Sequence, residues 1–158
     1  MSAPLRGRAR LVAFRLDSQQ YALELHVVER VLPMATITPL PGAPAVVLGA
    51  LNLHGAVCAV FDVRRRFGLP ARPAGLGAQL LVARTAGRQI ALPVDEVLGV
   101  FEVAEADITP ASVAVPGVLY VRALLALPGG LLLIHDLTAF LSPDEDAALE
   151  SALKKATE

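Results

Sequence analysis

The sequence predicts an all-β protein built as two small β-barrels, related by internal duplication and followed by a C-terminal helix. Three observations predict this. The chain matches itself: shifted by 69 residues, residues 11–28 fall on 80–97 without a gap, so that Leu11 meets Leu80, Arg15 meets Arg84, Gln20 meets Gln89, Ala22-Leu23 meets Ala91-Leu92 and Val28 meets Val97. The match resumes where Ile37-Thr38-Pro39 meets Ile108-Thr109-Pro110 and where Asp62-Val63 meets Asp136-Leu137, each Asp following an apolar run. A long fixed period of this kind marks a repeated structural unit. Each copy then consists of short β-prone runs with Gly or Pro between them, and short strands at such spacing suit barrels, which remove sheet edges by closure. Only the stretch after residue 142 departs from this pattern, and its spacing is helical.

The elements follow in order. Residues 1–10 are basic, lack the apolar stretch of a signal peptide and read as a loose tail. Leu11 to Leu16 and Tyr21 to Leu25 make a hairpin around Asp17-Ser18, and Leu80 to Arg84 with Gln89 to Val94 make its twin around Ala86-Gly87. Pro39, Pro41 and Pro44 hold the chain extended and remove ladder donors before the run Val46 to Leu53. His54-Gly55 forms a tight turn into Ala56 to Phe61, with Gly55 supplying a conformation barred to most residues. Asp62 caps a short helix, Val63 to Phe67, and Gly68 suits its exit. The first barrel therefore spans 11–69, a Pro/Gly-rich joint spans 70–79, and the second barrel spans 80–142. A unit of about 70 residues buries little surface by itself, so the two copies should pack on each other. Ser142-Pro143-Asp144-Glu145 is a capping box with Pro at the first helical position. Leu149 and Leu153 lie four apart, and Lys154 and Lys155 favour the negative end of the dipole, which predicts a helix over 143–156 docked by one apolar face.

Composition narrows the functional classes. Hydrophobic residues make up 54% of the 158 and charged residues 18%, so a packed core is expected. A net charge of −1, with aromatics at 4% and no Trp, argues against a nucleic-acid surface, which needs a concentrated basic footprint and stacking platforms. The single cysteine, Cys58, cannot form an intramolecular disulfide and reads as a buried small hydrophobe in a reducing, cytoplasmic compartment. No apolar run approaches the roughly 18 residues of a membrane span, so no direct membrane insertion is expected.

No candidate for catalysis rises above an ordinary structural role. Asp62 ends an apolar strand as a phosphoacceptor would. Phosphoryl transfer there would need an acidic metal cluster and a lysine, yet the only lysines are Lys154 and Lys155. His26, His54 and His135 have no second ligand at metal spacing, and neither G-x-S-x-G nor a phosphate-cradling glycine loop occurs. No metal, cofactor or catalytic residue is assigned. The run Arg64-Arg65-Arg66 reads as a solvated face of the short helix.

The ordered set Gly49-x-x-Asn52-Leu53-x-Gly55, six residues, Asp62-Val63-Arg64 resembles the signature of the bacterial chemotaxis coupling (CheW-like) family. Phe14-x-Leu16, Tyr21-Ala-Leu-x-Leu25 and Leu92-Pro93-Val94-Asp95-x-Val97 fit as well, and the resemblance covers roughly residues 11 to 153. It implies that the barrels are five-stranded and SH3-like. It also implies a non-catalytic adaptor that binds chemoreceptor cytoplasmic tips and the regulatory domain of a chemotaxis histidine kinase, recruited to receptor arrays through those partners. Family members hold the receptor's helical hairpin in an apolar groove between the barrels. The matching positions are Val28 and Val57, with Leu149 more loosely aligned, while Gly49, Asn52, Gly55 and Asp62 carry the structural motif. The kinase surface is expected on barrel strand edges, with no residue assigned. Two positions depart from the family: His54 stands where Arg is usual, and Arg30 where an acid is common, so both join the receptor-facing set. The same fold would serve a non-chemotaxis pathway, such as pilus motility or gene expression. A small barrel enzyme using His54 or Asp62 is the remaining reading.

Overall fold

Each β-sheet of the protein takes strands from both copies of the repeat. The computed structural model describes residues 7–73, 75, 77–85, 87–111 and 120–157. Its strands are β1 (Arg8–Leu16), β2 (Gln19–Glu24), β3 (Val28–Pro33), β4 (Val47–Leu53), β5 (Ala56–Phe61), β6 (Gln79–Thr85), β7 (Arg88–Val94), β8 (Glu96–Ala104), β9 (Ile108–Pro110), β10 (Val121–Leu127) and β11 (Gly130–His135). A short helix α1 (Val63–Arg66) follows β5, and a long helix α2 (Pro143–Thr157) ends the chain. One sheet has the order β8-β1-β2-β11-β10-β9 and the other β3-β6-β7-β5-β4. The fold is thus mostly β with a C-terminal helix, as the sequence predicts, although one sheet has six strands rather than five.

The sheets do not follow the expected division into 11–69 and 80–142. Hairpin β1–β2 belongs with β8 to β11, and its twin β6–β7 belongs with β3 to β5. The copies have exchanged hairpins, and the exchange is repeated in detail. Tyr21 of β2 pairs in parallel with Leu133 of β11, and the equivalent Ile90 of β7 pairs in parallel with Ala59 of β5. Bulges recur at equivalent places, between Val47 and Gly49 and between Val121 and Ala123. Sequence similarity marks the duplicated unit, but strand pairing is decided by which apolar faces can be buried, and a hairpin can bury its face against either copy. Two smaller boundaries also move. Arg8 to Arg10 belong to β1 rather than to a tail, and Gln79 opens β6 rather than closing the joint. Ala86 of the expected second turn and residues 1–6 of the expected tail lie outside the described residues.

Each sheet curls so that the chain leaving one edge returns to the other. After edge strand β3, Thr38 bridges Ala50 of the opposite edge strand β4; after edge strand β8, Thr109 of β9 pairs with Leu124 of β10. The period-two alternation of side chains then serves two cores. In β1, Leu11 and Ala13 point into the interior of their own barrel, whereas Val12, Phe14 and Leu16 point into the layer between the barrels. In β6, Leu80 and Val82 face inward and Leu81 and Ala83 face the shared layer. Burial on both faces is why these strands read as continuous apolar runs rather than alternating ones. The shared layer also holds Phe61, Ile90, Leu137, Phe140 and Leu149. Among the described residues no helix is long and apolar enough to cross a membrane.

Candidate interaction site

The β4–β5 turn is shaped by the motif residues. His54 (φ 52°) and Gly55 (φ 90°) both adopt left-handed conformations between the paired residues Leu53 and Ala56, the two-residue geometry that matches strand twist. The Asn52 side chain accepts a hydrogen bond from the Gly55 N–H at 2.7 Å and pins the turn. Gly49 is required for a different reason: a Cβ there would lie 2.2 Å from the Thr38 carbonyl oxygen, because the closing segment crosses directly above it. Asp62 accepts from the Arg65 N–H at 3.1 Å, so it caps α1 as expected. His54 and Asp62 stand at opposite ends of β5, about 20 Å apart at the rise of an extended strand, too far to act on one substrate.

The expected receptor-facing residues divide. Val57 is 45% exposed on β5 and Arg30 is exposed on edge strand β3. His54 is exposed at the turn. Val28 is half-buried and packs against the shared layer. Leu149 is 0% exposed within that layer and is a core residue, which corrects its expected place on an open groove. The helix that carries it fills the seam between the barrels, leaving a cavity of about 230 Å³ at the helix start, lined by Phe61, Arg88, Ile90, Leu137, Phe140 and Asp146 among others. Ala59 pairs with Ile90, and two residues back on both parallel strands Val57 lies beside Arg88 on the same face.

Helix α2 is held at this seam by its capping box and by ion pairs. The Glu145 N–H donates to Ser142 Oγ at 3.1 Å, and the Ser142 N–H donates to Glu145 Oε1 at 3.0 Å. Arg66 donates to Glu145 at 2.7 Å and to the Tyr120 hydroxyl at 2.9 Å. Arg88 donates to both Asp146 and Glu150 at 2.9 Å.

The arginine run after Asp62 is not a solvated face. Arg65 is exposed, but Arg64 is buried and Arg66 half-buried. Arg64 grips Asp17 with both terminal nitrogens at 2.9 and 3.0 Å, and Nη2 also donates to both oxygens of Asp95. The Asp17 N–H donates to Asp95 at 2.7 Å, and Arg72 approaches both acids at about 3 Å. The Arg64 hydrogen bonds hold the Asp17 carboxyl below its usual range. Burial alone would raise Asp95, but the Asp17 amide and Arg64 outweigh it and its pKa is lowered. The acids lie far from Arg64 in sequence, so adjacency along the chain could not reveal this lock; an arginine two residues past a helix cap was the only hint.

Among the described residues, His135 is the other buried polar or charged side chain. Burial pushes it down to about 4, against the opposing effect of the Tyr120 carbonyl. That carbonyl can only accept, so the proton sits on Nδ1 at 2.9 Å and Nε2 is a bare acceptor without a partner among the described residues. The ring stacks on Phe67, with centroids 3.9 Å apart. Burial likewise raises the Cys58 thiol to about 11, leaving it an inert core group. Among the described residues no three His, Cys, Asp or Glu side chains are grouped to hold a metal ion.

What these features define is a duplicated two-barrel scaffold whose distinctive surface is the open side of a helix-filled seam. Comparison with known proteins agrees. The model of the CheW-like domain family matches residues 10–145, and the chain belongs to that family. It is 31% identical to the chemotaxis protein CheW of Rhizobium meliloti over 149 residues, covering 90% of this chain and 94% of that one. A probable chemotaxis protein CheW of Rhizobium etli is 28% identical, with 90% and 93% covered. The crystal structure of the scaffolding protein TtCheW from Thermoanaerobacter tengcongensis superposes with a TM-score of 0.78 at 25% identity, over 87% of this chain and 94% of that chain.

Proposed function

We propose that this protein is a non-catalytic adaptor of bacterial chemotaxis that couples chemoreceptor tips to the regulatory domain of a histidine kinase. Membership of the CheW-like family supports the reading, as do relatives named chemotaxis proteins and a structural neighbour titled a scaffolding protein. The observation that carries it is Val57: a large apolar side chain, 45% exposed, on β5, whose neighbouring strand β7 lines the cavity between the barrels with Arg88 and Ile90. Such a rim suits the apolar stripe of a helical hairpin. Burying the exposed part of Val57 on a partner contributes about 1 kcal/mol, a useful part of the roughly 8 kcal/mol of a micromolar complex. Val28 joins from the rim of the shared layer, and Arg30 and His54 border the same barrel. The protein then acts in the cytoplasm, placed at membrane receptor arrays by its partners.

The test is direct. Val57→Asp weakens co-sedimentation with receptor-containing membranes while its circular dichroism and melting stay unchanged. Unaltered co-sedimentation removes Val57 from the site. Failure of the wild-type protein to bind the regulatory domain of any chemotaxis-type kinase of its host at tens of micromolar defeats the adaptor reading.

His54 and Arg30 favour one further reading, a client outside chemotaxis. Where relatives usually carry an Arg and often an acid, this chain presents an imidazole and a cation with no carboxylate within 4 Å among the described residues. A partner charge left unpaired at a buried interface costs roughly 2–5 kcal/mol, so the partner must differ to suit. A deletion strain that swims up gradients normally but loses another surface behaviour supports that client.

A further inference from the structure

We infer that Arg88 is the charged anchor of the Val57 surface: it takes a carboxylate of the docked helix, and Asp146 and Glu150 of helix α2 hold its place until that helix arrives. The inference rests on the adaptor reading and deepens it by stating what the partner presents, an apolar side chain for the Val57 rim and an Asp or Glu beside it.

Arg88 is positioned for this by both neighbours. It lines the cavity between the barrels with Phe61, Ile90 and Phe140, and strand register puts it beside exposed Val57. Its contacts to α2 use a single nitrogen, Nη2, which donates to Asp146 Oδ1 and to Glu150 Oε1. Nε and Nη1 have no partner among the described residues. A guanidinium carries five N–H donors in a planar fork, so a second carboxylate can be received without first breaking the whole set. The acceptors are held loosely: the Asp146 and Glu150 side chains are 55% and 54% exposed, whereas that of Arg88 is 18% exposed. With both carboxylates more than half in solvent, these pairs are screened and add little to the fold, and helix α2 is fixed independently by Leu149, its capping box and Arg66. The arrangement is a sheltered cation with weak, replaceable counterions.

The other copy of the repeat sharpens the point. The residue equivalent to Arg88 is Gln19, and the residue equivalent to Val57 is Leu131. There the Gln19 side-chain amide donates straight across to the Leu131 carbonyl at 2.7 Å. Glutamine closes the two neighbouring strands together, whereas arginine reaches to the helix and keeps a charge at the cavity.

The prediction has opposite signs for two variants of one ion-pair cluster. Binding is measured by titration calorimetry against a chemoreceptor cytoplasmic hairpin from the host, with melting monitored for each variant. Arg88→Gln weakens binding about tenfold and flattens its salt dependence. The double variant Asp146→Asn/Glu150→Gln, which removes the competing carboxylates, tightens binding threefold or more. A merely structural staple gives the other pattern, in which both variants melt earlier and the double variant binds equally or more weakly; that result overturns the assignment of Arg88. Wild-type protein that does not bind the hairpin at all defeats the adaptor reading itself, and this outcome is separate because it needs no variant.

Discussion

The two copies of the repeat share strand order, bulges and turns, yet they end differently, and the difference separates what the duplicated unit needs from what this molecule does with it. Phe61 and His135 occupy equivalent positions at the ends of β5 and β11, each followed by an Asp that caps the next turn. In the first copy the chain then forms α1 and returns Arg64 to Asp17 and Asp95, fastening the exchanged hairpins by charge. In the second copy the chain continues into α2 and fastens the seam with apolar side chains, Phe140 and Leu149. Two means of closing one architecture follow from what lies downstream: the first copy leads into the joint and the second has a helix to place.

The largest expected effect tests the apolar fastening. Leu149→Ala leaves a cavity in a fully buried layer and costs about 2–5 kcal/mol in urea unfolding, and Leu149→Asp prevents folding altogether. If Leu149→Asp remains folded and only loses partner binding, the helix is a removable cover and the second copy does not depend on it.

His135 gives the next effect, and its sign is fixed by its pKa. The folded-state value of about 4 lies below the ordinary 6.5, so the unfolded chain binds a proton that the folded one refuses. Stability is therefore whole above pH 6.5 and falls as pH drops toward 4, by about 3 kcal/mol at 1.36 kcal/mol per unit. His135→Phe, which copies Phe61, removes that slope. The Tyr120 carbonyl keeps a donor, the Asp136 N–H at 2.8 Å, so no acceptor is orphaned. Loss of stability below about pH 4 persists in the variant, because Asp17 and Asp95, lowered in the folded state, must then take up protons. Parallel pH-stability curves for variant and wild type would contradict the depressed histidine.

Gly49 and its counterpart Ala123 test the closing segments. Ala123 tolerates its side chain beneath β9, but Gly49 lies under Thr38 with no room for a Cβ. Gly49→Ala should cost about 1–3 kcal/mol and speed exchange of the Thr38 and Ala50 amides, which bond each other's carbonyls at 2.9 and 2.8 Å. Normal protection of those amides in the variant would mean that the segment shifts freely.

The smallest effect lies at the hairpin tips, where His54-Gly55 faces Pro128-Gly129 in the other copy. Asn tolerates the left-handed conformation of His54 better, so His54→Asn raises stability by about 0.5–1 kcal/mol in thermal melts. A loss of stability would show that the imidazole makes a contact of its own.

Much of the architecture was legible because it is local. The capping box at Ser142, the Asp62 cap and the His54-Gly55 turn each require particular residues within four positions of one another, and each formed as read. The gap-free repeat correctly announced two equivalent units. The proposed interaction site was only half legible. Val57 and Arg30 are exposed as expected, but the apolar spacing that marked Leu149 says only that a helix face is buried, not whether a partner or the molecule itself buries it. Arg88 gave no signal, since its importance comes from a neighbouring strand and a distant helix.

What this sequence determined by itself is therefore the set of elements, their caps and turns, and the existence of a duplicated β unit, because hydrogen bonding and steric limits within a few residues act before any tertiary contact. Only the tertiary structure decided which hairpin joins which sheet, that Arg64 is buried between two aspartates, and that the chain's last helix occupies the seam. Those outcomes depend on apolar area and charge brought together from opposite ends of the chain, and no local rule ranks one long-range pairing above another that buries the same face.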